Sequence, residues 1–209
     1  MFDSQTLMEY GISLSAPQPD LDNQIYRYAI IESQRCESLD VWRYGLMKSP
    51  PRCEPLFTST LYESISGGPV FIDLTLAEDA FLTQLYQLAE SVPLGCFFSS
   101  SANFDECLTL LRGRLTAKTS SAIALFRYFE PRMLLALIAA LSDDEKGMLF
   151  YKITTIYWFD QSWFLAKIPQ PKEKTFQDLT IYQWVMTENT ISAMEEIAMM
   201  QSHQGESDV

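Results

Sequence analysis

Ser121-Ala-Ile-Ala-Leu-Phe-Arg-Tyr-Phe-Glu-Pro-Arg-Met-Leu-Leu-Ala-Leu-Ile-Ala-Ala-Leu141 is the stretch that decides how this chain is read. Its first half is apolar, rich in β-branched and aromatic residues, and has the length of a buried strand over Ala122–Tyr128. Its second half opens with Pro131 and is almost wholly apolar over three turns, which reads as a buried helix. Proline suits the first helical position, where its missing N–H is not needed. Between the halves sit Arg127, Glu130 and Arg132. Isolated charges are too costly to bury, so three of them at the turn of an apolar unit are either paired or functional. In one reading Arg127 and Glu130 pair with each other or with Glu32, fixing the strand end against the helix start. In the other, an arginine projects outward and anchors a partner's carboxylate or backbone. Glu130 is too long to cap the helix well, although its charge suits the positive helix end.

Upstream, strands and helices alternate. Ile25–Ser33 reads as the first strand, Val70–Leu74 as another, and Leu94–Ser100 as a third; Cys53–Thr58 is a candidate edge strand. Ser38–Met47 places Leu39, Trp42 and Leu46 on one helical face, and Pro50-Pro51 ends that helix. Leu61–Ile65 fits one helical turn before Gly67-Gly68. Thr75-Leu-Ala-Glu78 has the form of a capping box for a helix reaching Ser91, with Phe81, Leu85 and Leu88 facing inward. Asn103 with Glu106 starts a further helix, Phe104–Leu115. The alternation predicts an α/β sandwich over residues 25–141, with a mixed, partly parallel sheet flanked by helices.

The pattern changes after Leu141. Ser142-Asp-Asp-Glu145 is a capping box for a short helix, and Thr154–Phe159 with Trp163–Ile168 reads as a hairpin around Asp160-Gln-Ser. Pro169, Pro171 and Lys172-Glu-Lys form a polar linker, and the chain is helix-like from Thr175 to Met200. Residues 142–201 are thus expected to form a smaller, mainly helical lobe with the hairpin as its seam. Residues 1–24, with Pro17 and Pro19, read as a loosely packed arm that holds at most a short helix near Ser4–Tyr10. Residues 202–209 read as a disordered tail.

Of the 209 residues, 47% are apolar and 13% aromatic, ample for a core. The net charge of −12 and a pI near 4.4 disfavour nucleic acid and anionic membranes as partners. Cys36, Cys53, Cys96 and Cys107 have no C-x-x-C spacing and read as reduced thiols, with no zinc site expected. The N-terminus lacks the basic and apolar regions of a signal peptide, and no apolar run reaches the roughly 18 residues of a membrane span. The expectation is a cytoplasmic protein.

Catalysis needs a placed nucleophile, an acid–base group or a metal. The sequence has no nucleophile elbow and no phosphate-cradling loop, and Gly67-Gly68 is a turn signal. Asp143 and Asp144 sit in a first helical turn, where negative charge is stabilising. His203 is the single histidine and falls in the polar tail. No enzyme and no cofactor are expected. Tyr157-Trp-Phe-Asp-Gln-Ser-Trp-Phe164 is the densest aromatic cluster. Alternation on a hairpin prevents all these rings from facing one core. They are core or helix-covered, or else Trp158, Trp163 and Phe164 form a partner patch. Met194–Met200 is either the end of a packing helix or an adaptable binding surface.

The run Leu125-Phe-Arg-Tyr-Phe-Glu-Pro-Arg-Met-Leu134 resembles the signature "lFRfyDPRvL". That signature belongs to the effector-chaperone (adaptor) family of bacterial type VI secretion, first catalogued as a domain of unknown function. Tyr28-Ala-Ile-Ile-Glu32-Ser is similar to the family's first strand, Leu94-Gly-Cys-Phe-Phe-Ser-Ser to its "gwgiFl.S" strand, and Phe104–Leu115 to the helix carrying "hLR..l". The match spans about Ile25 to Leu141, with Glu130 and Glu32 standing where the family usually has Asp. Thr116–Ser121 also lacks the glycine common at that turn. The resemblance implies a cytoplasmic chaperone that binds a cognate toxic effector, through its N-terminal or PAAR-like region, and helps load it onto the VgrG spike. An immunity protein that neutralises a toxin by direct binding is the alternative, and the effector region bound distinguishes the two.

Overall fold

The computed structural model describes residues 4–15, 26–171 and 184–205. In chain order the first half comprises α1 (Ser4–Glu9), β1 (Ile12–Leu14), β2 (Tyr26–Glu32), α2 (Leu39–Gly45), β3 (Cys53–Pro55), β4 (Pro69–Asp73), α3 (Asp79–Ala89) and β5 (Gly95–Ser100). The second half comprises α4 (Phe104–Gly113), β6 (Thr116–Lys118), β7 (Ile123–Leu125), α5 (Pro131–Ala140), α6 (Asp143–Leu149), β8 (Ile153–Asp160), β9 (Ser162–Lys167), β10 (Trp184–Val185) and α7 (Glu188–Gly205).

Seven strands form one sheet in the order β1-β9-β8-β5-β2-β4-β3, and every neighbouring pair is antiparallel. The partly parallel sheet predicted from the alternation is corrected here. β4 and β5, joined through α3, do run the same way, since each is antiparallel to β2. But β2 lies between them, so the crossover is a split β-α-β unit. Among the described residues the one parallel pair is β10 with β6, in a small sheet ordered β10-β6-β7.

Side chains of successive strand residues point to opposite faces, and here each face has its own core. Tyr28, Ile30, Phe71, Phe98, Trp158 and Phe164 face one side, against Leu111 of α4, Leu134 and Leu137 of α5, and Leu149 of α6. Ala29, Ile31, Ile72, Phe97, Tyr157 and Trp163 face the other, against Leu39 of α2 and Phe81 and Leu85 of α3. β5, covered on both sides, buries all six of its residues. α5 packs between β8 and α7.

Several local expectations hold. Asn103 caps α4 by accepting from the Glu106 amide at 3.0 Å, and Ser142 and Glu145 close the capping box of α6. All four cysteines are free thiols. The Thr75–Glu78 box is not formed. Thr75 Oγ1 accepts instead from the Arg27 amide of β2 at 3.1 Å, and α3 begins only after Glu78, whose side chain makes no cap.

Larger corrections concern the ends and the signature strand. Residues 4–15 are not a loose arm: β1 pairs with β9, and Leu7 and Ile12 are buried. The hairpin β8–β9 is not a seam to a separate lobe, because β8 pairs directly with β5 inside the main sheet. The expected helix 175–200 begins only at Glu188, after the strand Trp184–Val185, and it runs on to Gly205 into the expected tail. Residues 172–183 and 206–209 lie outside the described residues. The strand read over Ala122–Tyr128 shrinks to Ile123–Leu125, which is largely exposed and belongs to the small sheet. After Leu125 the chain turns, with the Glu130 amide donating to the Arg127 carbonyl at 3.0 Å. That turn lets Phe126, Tyr128 and Phe129 enter the core while Arg127 reaches the end of the main sheet.

Candidate functional site

β2 and β8 are both antiparallel to β5, so their C-terminal ends, Glu32 and Asp160, lie at the same end of the sheet. The start of α5 arrives at that end. Arg127 Nη2 donates to Glu32 Oε1 at 2.5 Å and to Glu130 Oε2 at 3.2 Å. Arg132 Nε donates to Glu130 Oε1 at 3.0 Å. The two glutamates are buried, whereas the side chains of Arg127 and Arg132 remain 41% and 60% exposed. Glu130 occupies the N-cap position of α5 without a side-chain cap bond, because both its oxygens are taken by arginines. Pro131 follows at the first helical position.

The sequence-predicted set Glu32, Arg127, Glu130 and Arg132 is therefore brought together as one network. Both readings of the knot meet in it. The carboxylates pair inward, and the guanidinium groups face out. Arg127 also lies 5.7 Å from the centroid of the Phe129 ring, within cation–π reach.

Burial pushes the Glu32 carboxyl above its ordinary range. The attraction of Arg127 opposes this and the nearby Glu130 adds to it. Asp160 is likewise raised by burial, against the attraction of Arg132 and with the repulsion of Glu130. Asp160 is thus a fifth member of the cluster. Sequence reading missed it because Asp in Asp160-Gln-Ser is an ordinary turn residue, and Gln161 does adopt the left-handed conformation of such a turn (φ 61°).

Trp158, Trp163 and Phe164 do not form a partner patch. All three are buried, divided by the pleat between the two cores. Trp158 stacks on Phe164 with centroids 5.5 Å apart, and Trp163 Nε1 donates to Glu90 at 2.8 Å. Met199 and Met200, at the end of α7, are exposed. Arg112, the arginine of the "hLR"-like segment, is structural: it donates to the carbonyls of Pro55 at 2.9 Å and Leu56 at 3.2 Å, tying β3 to α4.

What this arrangement supplies chemically is a pair of fixed, outward-facing guanidinium groups. A guanidinium carries five N–H donors, and Arg132 engages Glu130 through its Nε. Among the described residues no group of three or more His, Cys, Asp or Glu is placed to hold a metal ion. Among them no helix is long and apolar enough to cross a membrane.

No curated protein and no solved structure matches the chain. One family model, "Domain of unknown function (DUF4123)", matches residues 27–147. That span starts in β2 and ends in α6. It contains Glu32, Arg127, Glu130 and Arg132 and leaves out Asp160. It covers more than half of the 209 residues, and the chain belongs to the DUF4123 family.

Proposed function

We propose that this protein is a cytoplasmic, non-catalytic adaptor of type VI secretion. It binds a cognate effector through the effector's N-terminal or PAAR-like region and helps load it onto the VgrG spike. The resemblance of Leu125–Leu134 to the adaptor signature motivates the reading. The observation that carries it is the geometry of the two signature arginines. Buried carboxylates hold Arg127 and Arg132 in place while the two arginine side chains stay partly exposed. Holding a rotamer-rich side chain before binding removes part of the entropy that association would otherwise cost, and arginine is enriched among residues that dominate interface energetics.

The test is co-purification of the full chain with each toxin-like protein encoded beside its gene, supplied as an N-terminal half and as a toxic half. Retention on the N-terminal half, weakened by Arg132→Ala, is the expected result. Retention on the toxic half alone would instead make the protein an immunity factor.

A further inference from the structure

Two of the three residues of β7 are exposed, and half of its backbone is bonded by no described residue. Three pairs join it to β6: Thr116 with Leu125, Ala117 with Ala124, and Lys118 with Ile123. Just beyond them, the Phe126 amide donates to the Leu115 carbonyl at 2.7 Å and the Thr119 amide to the Ala122 carbonyl at 2.8 Å. Antiparallel pairs alternate between bonded and non-bonded. The bonded set is therefore 115 with 126, 117 with 124, and 119 with 122. Ala124 turns its N–H and C=O toward β6, and Ile123 and Leu125 turn theirs away. β7 is the last strand of its sheet, and no described residue bonds those outward groups.

Natural sheets blunt such edges with charge, proline, a bulge or a covering element. Ser120-Ser-Ala-Ile-Ala-Leu125 contains no charge and no proline. Ile123 is 62% exposed, and Ala124 is exposed beside it. Two residues after Leu125 comes Arg127, so the open edge leads directly into the charged knot.

We propose that β7 is a strand-addition site: an extended, apolar-alternating, non-acidic segment of a partner pairs its backbone with Ile123 and Leu125. Strand addition draws affinity from main-chain bonds and specificity from alternate side chains, and this edge offers both. The occupant is a different protein rather than a second copy. Each copy carries a net charge of −12, so pairing two copies at this edge works against self-repulsion. The proposal deepens the adaptor reading by naming how the effector segment is held, and its effector arm rests on that reading.

The test selects a random peptide library against the full chain and measures the winners on two variants. Ile123→Pro removes an outward N–H that no described residue accepts, a placement proline tolerates on an edge. Ile123→Thr keeps the N–H and removes the apolar side chain. Selected peptides should alternate in apolar character, should be poor in Asp and Glu, and should protect the Ile123 and Leu125 amides from hydrogen exchange. Their affinity should fall about tenfold in Ile123→Pro, as for the loss of roughly one hydrogen bond, with an unchanged Tm. It should fall less in Ile123→Thr. Equal affinity for wild type and Ile123→Pro would overturn the proposal. So would a concentration-dependent dimer dispersed by Ile123→Pro, which would make the occupant a second copy. An effector that binds wild type and Ile123→Pro equally would sink the edge proposal and leave the adaptor reading standing. Edge-dependent peptides with no effector binding would do the reverse.

Discussion

Glu32 and Arg127 stand 95 residues apart in the chain and 2.5 Å apart in the fold. This contact ties the end of β2 to the turn that launches α5. The network it belongs to is asymmetric. Glu32 is buried and has Arg127 as its hydrogen-bond donor, whereas Glu130 draws on both arginines. Arg127→Ala therefore leaves a buried carboxylate without its donor and should lower unfolding free energy by about 2 kcal/mol. Arg132→Ala should lower it by less than about 1 kcal/mol, because Arg132 is mostly exposed and Glu130 keeps Arg127. Urea titration distinguishes the two. Equal losses would contradict the asymmetry. Under the adaptor proposal, Arg132→Ala loses partner affinity with only that small loss of stability.

Two acids, the buried Glu32 and the half-buried Asp160, give the stability a pH dependence of defined sign. Burial raises both Glu32, which Arg127, Arg35 and Glu130 face, and Asp160, which Arg132 and Glu130 face. The folded protein keeps these protons to higher pH than the unfolded chain does. The stability they contribute is complete below the ordinary carboxylate range, near about pH 4, and is lost as pH rises through the raised values. In Asp160→Asn one of the two groups no longer titrates. Its Tm should fall less than that of wild type as pH rises from about 4.5 to neutrality. Superimposable Tm–pH profiles would refute the account.

The knot was legible in the sequence because its charges interrupt an apolar run, and apolar surroundings leave a charge few ways to survive. The capping residues Asn103 and Ser142 were legible for a similar reason, since each solves a local problem within three residues. What sequence reading could not see was non-local. Thr75 looks like a helix cap until Arg27 of β2 takes its hydroxyl. A β4–α3–β5 pattern looks parallel until β2 is inserted between the strands. The Ala122–Tyr128 run reads as a strand because apolar character alone does not tell a paired strand from a turn that buries alternate rings. Asp160 joins the site only because β2 and β8 end together.

Gly95 should prove irreplaceable. It opens β5 with φ +147°, and a Cβ built on it would lie 1.9 Å from the Ile30 carbonyl oxygen of β2. That neighbour is backbone in the middle of the sheet and is held by pairing on both sides. Gly95→Ala must therefore strain the backbone and push two strands apart, a loss of about 3 kcal/mol or more. A variant within about 1 kcal/mol of wild type would show that β2 and β5 can separate there without penalty. Gly45, whose Cβ would meet nothing within 4 Å, supplies the matched control: Gly45→Ala should leave Tm unchanged or slightly raised.

The N-terminal segment is held by three independent ties. β1 pairs with β9, the Ile12 side chain is buried in the core shared with Trp158 and Phe164, and the buried Lys146 ammonium donates to the Tyr10 carbonyl at 3.0 Å. A segment that merely rested on the surface would tolerate truncation of Ile12. Ile12→Ala should instead cost about 3 kcal/mol, the usual penalty for emptying a core position of that size. Met8→Ala, at an exposed position of α1 four residues earlier, should change stability by no more than about 0.5 kcal/mol. Lys146→Ala removes the donor to Tyr10 and should loosen the segment locally, seen as faster proteolysis within residues 4–15 while the main sheet stays protected. If Ile12→Ala unfolds with the wild-type midpoint, β1 is not part of the cooperative fold.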